Sequence, residues 1–192
     1  MNSTTINQDG KYEVLQSEYL FRRPWLTARR DVARLPDGRT VPEYYILEYP
    51  DWINVVAITD DGRMIMERQY RHGAGLTAYE LPCGVMEKGE EPLEAARREL
   101  QEETGYGGGE WTPLMAGYPN PGSQTNRCHS FLAVGVKKIS GQHLDDTEDL
   151  TVHLLPPERV KHLLEAGEIL QILHAAPLWK YFSTAGLAPA SR

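Results

Sequence analysis

The chain has 192 residues and a formal net charge of −7, with 41% apolar and 24% charged side chains. That length suits one globular domain, alone or with an extension, and the negative charge argues against binding along nucleic acid backbones. No apolar run approaches the roughly 18 residues of a membrane-spanning helix, and the polar start MNSTTINQDGKYEV lacks the basic-then-apolar pattern of a secretory leader. A cytoplasmic protein without a membrane partner is expected.

In chain order, the first ten residues are expected to be disordered. EYLFRRPWLTARRDVARL and TVPEYYILEY read as strands, with a turn at Pro36-Asp37-Gly38 between them. INVVAITDDGRMIMERQYR reads as a second hairpin around Asp60-Asp61-Gly62, and TAYELPCGVM is strand-like. Pro92 in a first turn, Ala and Leu at the inner positions and Gly105 as a left-handed stop predict a helix over residues 92–104. A glycine-rich turn (YGGGEW), a proline-rich loop (GYPNPGSQTN), the apolar strand CHSFLAVGVKK, the acidic loop LDDTED and the strand LTVHLLP follow. PPERVKHLLEAGEI and LQILHAAPLWKYF predict one or two closing helices that serve core or dimer packing. Strands around two helical regions indicate an α+β domain with helices packed on a mixed sheet. Cys83 and Cys128 are too few for a disulfide framework and read as buried small side chains. His129, His153, His162 and His174 have no spacing that suggests a metal or nucleophilic site.

The predicted helix is the unusual element. At about 100° per residue, Glu99, Glu102 and Glu103 share an arc of roughly 100°, beside the apolar seam of Leu93, Ala96 and Leu100, and so would overhang a groove at its edge. Like charges at this spacing repel, and anions near a helix C-terminus oppose its dipole. Solvation with Arg97 and Arg98 is one offset. A hard divalent cation held by the carboxylates is the other.

Read as spacing, the segment is Gly84, five residues, Glu90, seven residues, then Arg98-Glu99-Leu100-any-Glu102-Glu103-any-Gly105-Tyr106. Over 23 of the 192 residues this resembles the signature of the Nudix hydrolases at every fixed position. The resemblance implies an α/β/α sandwich with a mixed sheet. It also implies metal-dependent hydrolysis of a nucleoside diphosphate linked to another moiety. Carried over by position, Glu99 and Glu103 are the principal ligands of Mg²⁺ or Mn²⁺. Glu102 is a further ligand and catalytic residue, and the carbonyl of Cys83 completes the set. Gly84 permits a tight loop, and Glu90 with Arg98 holds loop and helix together.

The flanks resemble the ADP-ribose pyrophosphatase branch of that family. By this likeness Arg71 reaches a phosphate, Glu80 lies near the metal site, and Pro121 occupies the position of a substrate-loop proline. The loop Asp146-Thr147-Glu148 supplies the general base, with Glu148 ahead of Asp146. Residues 1–50 form a strand extension, ahead of a hydrolase domain over 51–192. The extension pairs across a homodimer and offers Trp25, with Tyr44 or Tyr45, for stacking on the base. The expected reaction is ADP-ribose to AMP and ribose 5-phosphate. A nucleotide sugar such as GDP-mannose or a dinucleotide is the alternative substrate, and a nucleotide-sensing domain without turnover is the alternative class.

Overall fold

The computed structural model describes residues 10–23, 26–146 and 148–185. Residues 1–9 of the expected disordered start, and the stacking candidate Trp25, lie outside the described residues. The chain forms two compact units. The first comprises the described residues up to Tyr49 together with Tyr118–Asn126, and the second Pro50–Gly117 together with the described residues from Arg127 onward.

The first unit is an antiparallel sheet in the order β1-β2-β3, with β1 Glu13–Arg23, β2 Leu26–Arg34 and β3 Thr40–Glu48. The hairpin between β2 and β3 turns where the sequence predicts, with Gly38 at a φ of 88°, a conformation in which a Cβ would be strained. The single run expected from Glu18 to Leu35 is instead two strands folded on each other, paired from Glu13↔Arg34 to Arg23↔Leu26. Asp31 is buried between them, where it accepts hydrogen bonds from Ser17 Oγ at 2.7 Å and Arg29 Nε at 3.1 Å. Tyr118–Asn126 joins this unit through a bridge between Leu47 and Gln124 and through the Tyr44 hydroxyl, which donates to the Gly122 carbonyl at 2.7 Å.

The second unit is a mixed sheet with helices on both faces. Its strands are β4 Trp52–Thr59, β5 Met64–Arg71, β6 Leu76–Glu80, β7 Cys83–Val85, β8 Tyr106–Gly107, β9 Glu110–Gly117, β10 Cys128–Lys138 and β11 Leu150–Leu155. The path is β11-β5-β4-β10-β8, with β6 on β5, β7 on β4 and β9 on β10. The β4–β10 pair is parallel and its neighbours are antiparallel. Side chains alternate in direction along a strand, and β4 and β5 bury both faces. Ile53, Val55, Ala57 and Ile65 pack with Ala95, Ala96 and Leu100 of α1 Pro92–Thr104. Val56, Ile58, Met64 and Met66 pack instead with Val160, Leu163 and Leu164 of α2 Pro157–Glu165 and with Leu178 of α3 Ile172–Ala185. The result is the expected α/β/α sandwich, closed by two helices.

Two details go beyond the sequence reading. Strand β9 was not expected because Pro113 interrupts it. It pairs with β10 alone, and Pro113 falls at a shift of register, an edge position where a missing N–H is tolerated. Pro177 lies inside α3 and cannot donate to the Leu173 carbonyl four residues back. The buried Asn54 of β4 donates to that carbonyl instead, through Nδ2 at 2.9 Å, and so docks α3 on the sheet.

Candidate active site

The site is assembled from the acidic face of α1, the strand pair β5–β6, the short strand β7 and the loop before β11, all in the second unit. Glu99 and Glu103 stand one turn apart and are 9% and 4% exposed, while Glu102 is only half-buried. The three were expected to overhang a groove together, but two of them are sunk against β7. The physical reason is Gly84. A Cβ at that position would collide with the Glu99 carboxylate, so glycine lets the helix face press onto the strand. Glu103 Oε2 in turn accepts the Cys83 N–H at 2.8 Å.

Arg98 ties this region together. Its guanidinium donates to both Glu90 oxygens at 2.9 and 3.0 Å and to the Val85 carbonyl at 3.1 Å. It also reaches Glu99 Oε1 at 2.9 Å and Glu102 Oε2 at 3.0 Å. The loop leaving β7 is thereby fixed to the helix. The unfavourable C-terminal end of α1 is also relieved. His143 N–H, Gln142 Nε2 and Lys138 Nζ donate to the carbonyls of Glu102, Glu103 and Thr104 at 2.8, 2.8 and 2.7 Å. The ammonium of Lys138 is the cation that the helix dipole favours there. These contacts also anchor the start of the connection that carries Glu148. Glu148 is half-buried and lies within electrostatic reach of Glu67, Glu99 and Glu103; its Oε2 accepts the Asp145 N–H at 3.0 Å. Asp146 is exposed on the turn.

A second group lies beside the first. Arg71 Nε donates to both oxygens of Glu80 at 2.9 and 3.0 Å; the Glu80 side chain is 3% exposed and that of Arg71 40%. His174 of α3, to which sequence spacing assigned no chemistry, is buried here. Its Nδ1 accepts the Leu81 N–H at 3.1 Å, and its Nε2 faces Gln171 Oε1 at 2.7 Å and Glu80 Oε2 at 3.6 Å. Burial holds the imidazole neutral, with a pKa pushed down to about 4 despite the nearby Glu80 charge. Ligand atoms of Glu80, Cys83 and His174 lie within 4.8 Å of one another, a spacing a metal could use. Arg71 already occupies Glu80, however, and His174 Nδ1 is taken by a backbone proton. Arg71, Glu80 and His174 instead form a clamp in which Arg71 holds Glu80 and His174 holds the Leu81 N–H.

Electrostatically the site is short of positive charge. Burial, aided by neighbouring carboxylates, pushes Glu99 up to about 7 and raises Glu103 well above the usual carboxylate range. Burial and the adjacent Glu80 charge push Glu67 up to about 8. Buried oxygen ligands with too few cations beside them are the donor set of a hard divalent ion. Glu99 and Glu103, with the half-buried Glu102 and the Cys83 carbonyl, could supply that set. Of the other sequence candidates, Tyr44 and Pro121 belong to the first unit, where the Tyr44 ring meets Tyr12 edge-on at 6.3 Å.

The family model of the NUDIX domain matches residues 49–175, which include every element of this site. The chain belongs to the Nudix family. A second family model, the nucleoside diphosphate sugar hydrolase N-terminal domain, matches residues 12–47. This Nudix chain is 33% identical over 158 residues to an ADP-ribose pyrophosphatase of Bacillus subtilis, covering 82% of this chain and 85% of the relative. It is 31% identical over 167 residues to an ADP-ribose pyrophosphatase of Mycobacterium tuberculosis, covering 86% and 80%. A crystal structure of an ADP compounds hydrolase superposes with a TM-score of 0.81 at 24% identity, over 93% of this chain and 96% of that one, and it supports the shared fold.

Sequence reasoning on this Nudix chain missed Glu67 and His174. For His174 no local signal existed, since besides Gln171 the groups it meets, Leu81 and Glu80, are 93 and 94 residues away in sequence. For Glu67 there was one. MIMERQYR puts a carboxylate at a position whose neighbours two before and one before, Ile65 and Met66, are fully buried, and a charge inside an otherwise apolar half-strand calls for a partner.

Proposed function

We propose that this protein is a Mg²⁺-dependent ADP-ribose pyrophosphatase that yields AMP and ribose 5-phosphate. The observation that carries the substrate is the pair of relatives named ADP-ribose pyrophosphatase, whose aligned stretches exceed the length of the second unit and so reach into the first. The intact carboxylate set favours an enzyme over a sensor. A bound Mg²⁺ would neutralise the diphosphate and acidify a water. Glu99, Glu103, Glu102 and the Cys83 carbonyl would hold it. Glu148 is the proposed base that takes the proton of the attacking water, with Asp146 second, because the half-buried Glu148 lies within electrostatic reach of the helix carboxylates. Arg71, oriented by Glu80, is proposed to steady a phosphate, and Trp25, Tyr44 and Pro121 are proposed to hold the nucleoside. The two free thiols suit a reducing compartment such as the cytoplasm.

The test is product analysis with Mg²⁺ and, separately, ADP-ribose, ADP-glucose, GDP-mannose, NADH and a diadenosine polyphosphate. AMP should appear fastest from ADP-ribose and should vanish with a chelator. A nucleotide sugar is the second reading, favoured by the family of residues 12–47; faster cleavage of GDP-mannose or ADP-glucose would select it.

A homodimer through the first unit belongs to the same proposal. Strand β1 is an edge strand on which Val14, Leu15, Tyr19, Leu20 and Phe21 are 40–55% exposed, and such edges are commonly covered. Sedimentation at micromolar concentration should give twice the chain mass of 21.7 kDa; a stable monomer would remove the dimer from the proposal.

A further inference from the structure

Among the described residues, Glu67 is the one buried carboxylate near the site that neither the motif nor the flanking resemblance accounts for. It sits on β5, where Ile65 and Glu67 point to the face covered by α1 while Met64 and Met66 point to the opposite face. Its direct cross-strand partner on β6 is Glu80, so two carboxylates lie side by side where like charges oppose one another. Glu67 is 2% exposed, and its Oε1 is buried without a hydrogen-bond partner. An unpaired buried carboxylate oxygen is costly, and the groups that could relieve it are engaged elsewhere. Arg71 spends its Nε on Glu80, and Arg98 is divided among Glu90, Glu99 and Glu102. Glu67 lies on the sheet face that α1 covers, within electrostatic reach of Glu99 and Glu103.

We propose that Glu67 is an additional carboxylate ligand of the divalent cation site, presented from the sheet opposite the helix ligands Glu99 and Glu103. The inference rests on the metal-site reading given above and extends it to a residue outside the family signature. Helix ligands alone hold a cation from one side. A carboxylate from the sheet supplies the opposite side of the oxygen shell that a hard ion prefers, and it explains why the buried run Met64-Ile65-Met66 is followed by a buried glutamate.

The experiment is titration of the full-length, nucleotide-free protein with Mn²⁺, following free Mn²⁺ by electron paramagnetic resonance, for the wild type and Glu67→Gln. Gln keeps the shape and removes the charge. The expected result is roughly 10-fold or greater loss of Mn²⁺ affinity in the variant, with an unchanged circular dichroism spectrum. Wild-type affinity in Glu67→Gln would overturn the proposal and leave the catalytic reading standing, whereas failure of the wild type itself to bind Mn²⁺ would overturn both. Should Glu67→Gln not fold, Glu67→Asp replaces it. Asp keeps the charge and withdraws it by one methylene, so weakened binding is expected, and unchanged affinity would again overturn the assignment.

Discussion

Glu103→Gln is expected to lower kcat on ADP-ribose by roughly 10³-fold, because a metal centre supplies several kcal/mol of charge stabilisation and every 1.4 kcal/mol or so is tenfold in rate. The same substitution should leave the fold intact. A Gln side-chain oxygen still accepts the Cys83 N–H that Glu103 Oε2 accepts at 2.8 Å, so the contact between α1 and β7 persists. In chelator, at a pH high enough to ionise these carboxylates, the variant should melt a few degrees higher than the wild type, since removing a buried carboxylate that then repels Glu67 and Glu99 relieves a cost of about 1 kcal/mol or more. The combination is diagnostic. Lost activity with lost stability would mean only that Glu103 is structural, and a kcat within tenfold of the wild type would remove it from the metal site. The measurements are steady-state kinetics with Mg²⁺ and thermal melting in chelator.

The helix carboxylates were legible because local rules conflict there. A repulsive cluster at the wrong end of a helix dipole needs an offset, which solvation or a cation could supply, and the fixed spacing from Gly84 to Tyr106 is what turns it into a recognisable site. The strands β4, β5 and β10 were legible because they bury one or both faces with Val, Ile and Met. What escaped was whatever depends on pairing across the fold. The split of the N-terminal run into β1 and β2 is a matter of how two strands meet, and nothing in the composition of either distinguishes two strands from one. β9 was hidden by Pro113, whose edge position only the pairing with β10 discloses.

The same holds within the site. Gly84 reads as a loop glycine in sequence, yet its reason is contact with Glu99 fifteen residues on. The depth of Glu99 goes with that contact and that of Glu103 with the Cys83 N–H, whereas the helical arc places both only at the edge of the apolar seam. Asn54 holds the Leu173 carbonyl that Pro177 leaves open, and the next residue, His174, meets Leu81, two contacts that join three parts of the sequence. Helical and strand periodicities describe one element at a time, whereas the clamp around Glu80 is built from β4, β5, β6 and α3 together.

The metal-free protein should lose stability as pH rises from about 4.5 to about 8, and a divalent cation should largely abolish that loss. Glu99 and Glu67 start from an ordinary value of 4.5 and are pushed to about 7 and about 8 in the fold, and Glu103 is raised as well. Between the ordinary and the raised value the folded chain retains protons that the unfolded chain has released. Stability follows the protons bound by the unfolded state minus those bound by the folded state, so the slope with pH is negative across this window. The stabilisation is fully present below about 4.5, and it is gone once the pH passes the folded values. Each of the two groups contributes roughly 3–5 kcal/mol at most, reduced because neighbouring carboxylates do not all ionise independently. His174, held at about 4, acts in the opposite sense, but only below its ordinary value of 6.5, where the unfolded chain takes up a proton that the folded chain refuses. It therefore blunts the acid side of the window and leaves the fall from pH 6.5 to 8 to the carboxylates. Melting curves from pH 5 to 9, in chelator and in millimolar Mg²⁺, measure this directly. A melting temperature in chelator that stays flat between pH 6.5 and 8 would mean the carboxylates ionise freely without a cation, and the electrostatic case for the site would fall with it.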